Sequence, residues 1–140
     1  MSCDNNLLEQ VKKLIEENNA KNAMAMLNST NDKSMWAQNA RGVCLMRMGH
    51  HDEAVKTLTP LVFPGGAVII AVGVPDKVKL NLAEAMLLTG NVAGAVTLME
   101  SVKEDSVHLI KLEQTVKRWK KSLSFFAKLE VMCGMLPYES

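Results

Sequence analysis

Few residues in this chain of 140 amino acids have the types and spacing for chemistry. His50-His51-Asp52, with Cys44 upstream, holds the donor types of a transition-metal site. Neighbouring histidines in a turn point apart, however, and no Cys-x-x-Cys or His-x-x-x-His spacing is present. Cys44 has no recognisable Cys–His arrangement that would make it a nucleophile, so it reads as a small buried packing residue. The lone His108 reads as structural. Gly65-Gly66 lacks the lysine that a phosphate-cradling loop requires. Glu16-Glu17 and Asp52-Glu53 fall at helix ends and read as solvated charge. No catalytic constellation converges, and the expectation is a chain that is not an enzyme and uses no metal and no cofactor. The chemistry that remains is recognition. It is carried by Trp36 and by the basic run Lys117, Arg118, Lys120, Lys121 and Lys128 around Trp119, Phe125 and Phe126.

Composition narrows the classes further. Lys+Arg is 16 and Asp+Glu is 15, a net charge of +1, with 48% hydrophobic residues. That composition excludes a disordered chain and argues against a whole surface tuned for nucleic acid or anionic membrane. Cys3, Cys44 and Cys133 are odd in number and widely spaced, so no disulfide framework is expected. The first residues carry no cationic start followed by an apolar run, and a reducing, cytoplasmic setting is the expectation. The longest apolar stretch, Leu61 to Val74, is 14 residues and contains Pro64-Gly65-Gly66. Crossing a bilayer takes ~20.

The elements that position these residues are helical by periodicity. Leu7, Leu8, Val11, Leu14 and Ile15 mark a helix over 5–18, and a second short helix follows over 20–27. Ser34 is the N-cap of a helix through Trp36, Ala40, Val43, Leu45 and Met48 that stops at Gly49. The next helix opens at His50-His51-Asp52-Glu53, with acids in the first turn where the dipole favours them. Pro64-Gly65-Gly66 breaks the chain before the apolar, β-branched run Ala67 to Val74. Helices are expected over 77–89, ending at Gly90, and from an Asn91 cap through Val96, Met99 and Val102. A long last helix runs from Asp105-Ser106 to about Cys133. Residues 67–74, if bare, would invite aggregation, so they are expected to be covered by the chain itself or by a second subunit.

An internal repeat joins these helices. Gly42, Leu45, Gly49, Ala54, Leu58 and Leu61 recur as Ala83, Met86, Gly90, Ala95, Met99 and Val102. A weaker copy is Val11, Leu14, Asn18, Ala23, Leu27 and Thr30. Small residues suit the close approach of two helices, and a Gly or Asn suits a left-handed helix end. At these residues the chain resembles the tetratricopeptide repeat family, over roughly residues 4–104. The copies lie 31 and 41 residues apart, against about 34 in the family, and the insertion at 64–75 accounts for the longer interval. Leu45, Leu58, Met86 and Met99 stand where the family usually carries aromatics. This fits a chain with ten Met and only six aromatics.

The resemblance implies an all-α fold, a right-handed superhelix of antiparallel helix pairs. Its parts would be repeats at 4–30, 33–63 and 76–104, an insertion at 64–75 and a C-terminal capping helix at 105–134, all in one domain. It also implies an adaptor that binds a peptide or protein in a concave groove. Placed residue by residue, that groove holds Leu8, Lys12, Trp36, Asn39, Val43, Arg47, Lys77, Asn81, Glu84 and Leu88, with Met46 beside it. The alternative is that these are solvated helix faces and that Trp36 packs on the preceding hairpin. Family members that bind chaperone tails use a Lys, Asn, Asn, Lys, Arg clamp. The matching positions here are Leu8, Lys12, Ala40, Lys77 and Asn81, of which only Lys77 fits, so no such tail is expected. The last helix has an apolar seam at Leu109, Leu112, Val116, Trp119, Leu123 and Phe126. Either that seam caps the array, or with Lys117, Arg118, Lys120 and Lys121 it meets an anionic membrane or nucleic acid. A small secretion-type chaperone holding an unfolded client, and a homo-oligomer, are the remaining alternatives.

Overall fold

The computed structural model describes residues 5–103 and 105–132, with side chains to residue 121. Among the described residues there are seven α-helices, one 3-10 turn and no strand. The helices are α1 (Asn5–Glu16), α2 (Ala20–Thr30), α3 (Met35–Arg47), α4 (His51–Val62), α5 (Asp76–Leu88), α6 (Val92–Glu100) and α7 (Val107–Met132). They form two compact units, Met1–Glu104 and Asp105–Ser140.

In the first unit three turns join α1 to α2, α3 to α4 and α5 to α6, and they share one geometry. Each helix ends on a left-handed residue: Asn18 (φ 61°), Gly49 (φ 84°) and Gly90 (φ 87°). The residue after it donates its N–H back across the turn, Asn19 to Leu14 O, His50 to Leu45 O and Asn91 to Met86 O, each at 2.8 Å. The left-handed residue itself donates to Ile15 O at 3.0 Å, Met46 O at 3.1 Å and Leu87 O at 3.1 Å. This is the Schellman arrangement, which satisfies carbonyls that the helix end leaves open. The next helix then starts in the same way, with Ala23, Ala54 and Ala95 donating to Asn19, His50 and Asn91. So the acceptors Leu14, Leu45 and Met86 and the buried alanines fall where the repeat spacing in the sequence puts them. Turns this short can only reverse the chain, and each pair packs as a hairpin.

Small residues let the hairpins close. Ala23, Ala54, Ala83 and Ala95 are completely buried. Gly42 on α3 lies against Leu58 on α4 so closely that an added Cβ would sit 2.5 Å from both Leu58 Cγ and Cδ2. Beyond the hairpins, α2 packs on α3 and α4 on α5, while α1 meets α3 and α3 meets α5. Val11, Ala20, Ala23, Leu27, Ala37 and Cys44 form one core cluster, with Leu7, Leu8, Leu14, Ile15, Met24 and Met26 packed on it. Caps read from the sequence are made: Ser34 Oγ accepts from Ala37 N at 3.3 Å and Asn91 Oδ1 from Gly94 N at 3.0 Å.

Between α4 and α5 the chain makes the 3-10 turn Pro64–Gly66 and then an irregular loop. Ala71 N donates to Val62 O at 2.9 Å and closes the loop at its base. The chain itself does not cover the run 67–74, one of the two ways in which it was expected to be covered: Val68 is 91% exposed, Ile69 76%, and Val72 fully. Only Val74, at the junction with α5, is buried. The two helices that the loop joins, α4 and α5, pack directly on each other.

In the second unit, α7 is one continuous helix, opened by Ser106 Oγ accepting from Leu109 N at 3.1 Å. Leu109, Leu112 and Val116 are buried, and residues 117–121 are all exposed. No helix among the described residues is long and apolar enough to cross a membrane.

Candidate functional site

The ten groove residues read from the sequence fall on α1, α3 and α5, of which α3 packs on both α1 and α5. On α3, Trp36, Asn39, Val43 and Arg47 follow at steps of three and four, which puts them on one helix face. On α5, Lys77, Asn81, Glu84 and Leu88 do the same. One contact joins the two faces: Asn81 Nδ2 donates to Asn39 Oδ1 at 3.0 Å. Both asparagines are buried, each 7% exposed. Their amides therefore tie α3 to α5 instead of facing a ligand, which corrects their assignment as groove contacts. A buried amide is costly unless paired, so two that satisfy each other fix which residues of α3 and α5 lie abreast.

Around that pair the remaining residues divide by depth. Trp36 is 41% exposed near the start of α3, and Leu88 is 48% exposed at the end of α5. Lys12, Arg47 and Lys77 are exposed, while Val43 and Glu84 are half-buried. Leu8 is half-buried and packs on the core cluster, so it is more wall than contact. Met46 is buried and leaves the candidate surface altogether. What stays open is two large apolar groups, three cations and part of one carboxylate. That set offers apolar contact and positive charge, which suit a chain segment carrying apolar and acidic side chains.

The metal reading of His50, His51, Asp52 and Cys44 finds no geometry. Cys44 is completely buried, whereas His50 is exposed and lies 3.9 Å from Glu53. Among the described residues no three His, Cys, Asp or Glu side chains gather to hold an ion. Burial pushes the Cys44 thiol up to about 11, the reverse of what a reactive cysteine needs.

Arg41 is the residue that sequence reasoning passed over. Its guanidinium donates to Leu27 O at 3.0 Å, Gln38 Oε1 at 2.7 Å and Asn28 Oδ1 at 3.3 Å, and also to Asp32 O. It thereby closes the C-terminal end of α2 and pins the first hairpin to α3. The signal was the run of residues 28–32, whose helix-end carbonyls need a donor from somewhere. The basic residues Lys117, Arg118, Lys120 and Lys121 are all exposed on α7, with Trp119 among them at 44%. Set against protein-family models, curated proteins and solved structures, the chain matches none.

Proposed function

We propose that this chain is a non-catalytic adaptor of the tetratricopeptide-like kind. Its three hairpins stack as a right-handed superhelix, and it binds a peptide or an exposed segment of another protein along α1, α3 and α5. The observation that carries this reading is the Asn39–Asn81 bond, which sets the α3 and α5 faces side by side with Trp36 and Leu88 left open. Exposed Trp is a typical hot-spot residue, since it offers a large area at small entropic cost. Lys12, Arg47 and Lys77 add three positive charges against Glu84, so the fitting segment combines apolar side chains with carboxylates.

Crosslinking in native lysate followed by mass spectrometry is the first experiment, and binding of the recovered segment to purified full-length protein the second. Trp36→Ala should weaken that binding by at least about tenfold, and Lys12→Glu with Lys77→Glu should weaken it in a salt-dependent way. Unchanged affinity in both variants would refute the face as the binding surface.

A further inference from the structure

We propose that the part of α7 beyond Val116 lies on an anionic lipid surface, with Trp119 in the interface and Arg118 and Lys120 reaching lipid phosphates. This inference is independent of the groove reading, so either can fail without the other.

The seam Leu109, Leu112 and Val116 is buried, yet Trp119, the next member, is 44% exposed. At ~100° per residue these three lie within about 80° of Trp119 around the helix. The same apolar face therefore passes from buried to open within one turn. All five residues 117–121 are exposed, which for a helix means every side of this turn meets water. Four of the five are cationic.

The arrangement of charge selects the partner. Arg118 and Lys120 flank Trp119 at about 100° on either side, while Lys117 and Lys121 sit about 160° away, on the far side. A helix lying in a bilayer interface uses such an order, with the aromatic ring at headgroup depth and cations at its two borders extending to phosphates. A nucleic-acid duplex, met through its phosphates, would engage the cationic side alone and leave Trp119 facing water. The backbone stays helical to Met132, about 24 Å past Val116, which is long enough to lie along a surface. A spanning arrangement is excluded for the described helices by their length and polarity.

Full-length protein is sedimented with phosphatidylcholine vesicles, with and without about a third phosphatidylserine. Binding is expected only to the anionic vesicles, falling as salt rises. Arg118→Gln with Lys120→Gln should weaken it about 25-fold, at about fivefold per cation, and Lys117→Gln with Lys121→Gln clearly less. Trp119→Ala should weaken it roughly tenfold. In a Trp36→Phe background, Trp119 emission should shift to the blue on binding. These positions are exposed, and circular dichroism confirms that each variant keeps its helix content. Equal binding to neutral vesicles, equal loss from the two double variants, or tighter binding to an oligonucleotide than to anionic vesicles would each overturn the proposal.

Discussion

Gly42→Ala sets two physical effects against each other. In an exposed helix interior this change stabilises by about 1 kcal/mol, because glycine loses more backbone entropy on folding. Here the new methyl would stand 2.5 Å from Leu58 Cγ and Cδ2 and 2.9 Å from Cδ1. Normal contact is roughly 3.5–4.0 Å. Turning only the outer torsion of Leu58 cannot clear the overlap, since Cγ is itself too close. Leu58 is completely buried, so its side chain cannot swing out into solvent. Overpacking of this kind costs about 1–3 kcal/mol, which cancels or exceeds the propensity gain, so the net loss should lie between zero and about 2 kcal/mol. Urea unfolding followed by circular dichroism measures it, and a double-mutant cycle with Leu58→Ala isolates its cause. Leu58→Ala alone should cost about 2–5 kcal/mol, and distinctly less in the Gly42→Ala background, where the methyl fills part of the cavity. A Gly42→Ala protein about 1 kcal/mol more stable than the parent, or a cycle with no coupling, would refute the argument that this glycine sets the spacing of α3 and α4.

Three further outcomes follow from burial and bonding. Asn81→Ala strands the buried Asn39 amide and should cost about 1–3 kcal/mol, while adding Asn39→Ala should cost little more, a coupling that thermal or urea unfolding of the three variants reads directly. Burial holds the Cys44 thiol protonated to about 11, against 9.0 when unfolded, so between those pH values the unfolded chain binds fewer protons and stability falls as pH rises. The loss is on the order of 2–3 kcal/mol by the linkage relation, is fully avoided below pH 9.0, and should be absent in Cys44→Ala; parallel stability–pH curves for the two proteins would contradict it. Replacing the exposed Val68, Ile69 and Val72 by Ser together should change unfolding stability by less than about 1 kcal/mol, whereas Val62→Ser or Val78→Ser, completely buried, should cost several times that.

What the sequence made legible is what short-range physics decides. Ser34 and Asn91 cap because their oxygens reach the N–H three residues on. Gly49 and Gly90 mark helix ends because the left-handed backbone is cheap for them, and Asn18 substitutes because Asn tolerates it. The repeat register followed from these turns together with the buried alanines. Depth was harder to read. Periodicity put Asn39 and Asn81 on the right faces of α3 and α5, but whether a face residue meets solvent or a neighbouring helix depends on where two helices cross. Arg41 escaped because its partners include backbone carbonyls at Leu27 and Asp32, which carry no residue-type signal. For the apolar run 67–74, composition says what it would prefer to bury, not whether its own chain supplies the cover: Val68, Ile69 and Val72 are left exposed by it.

The loop between α4 and α5 also bears on how freely the gene can be edited. The bond from Ala71 N to Val62 O holds its two ends together, and α4 still packs on α5 beneath it. Doubling the length of a loop already closed in this way adds only about 0.6 kcal/mol of closure entropy. The chain therefore offers a splice point near Ile69 where an epitope or a fluorescent domain can be inserted while the flanking hairpins keep their partners.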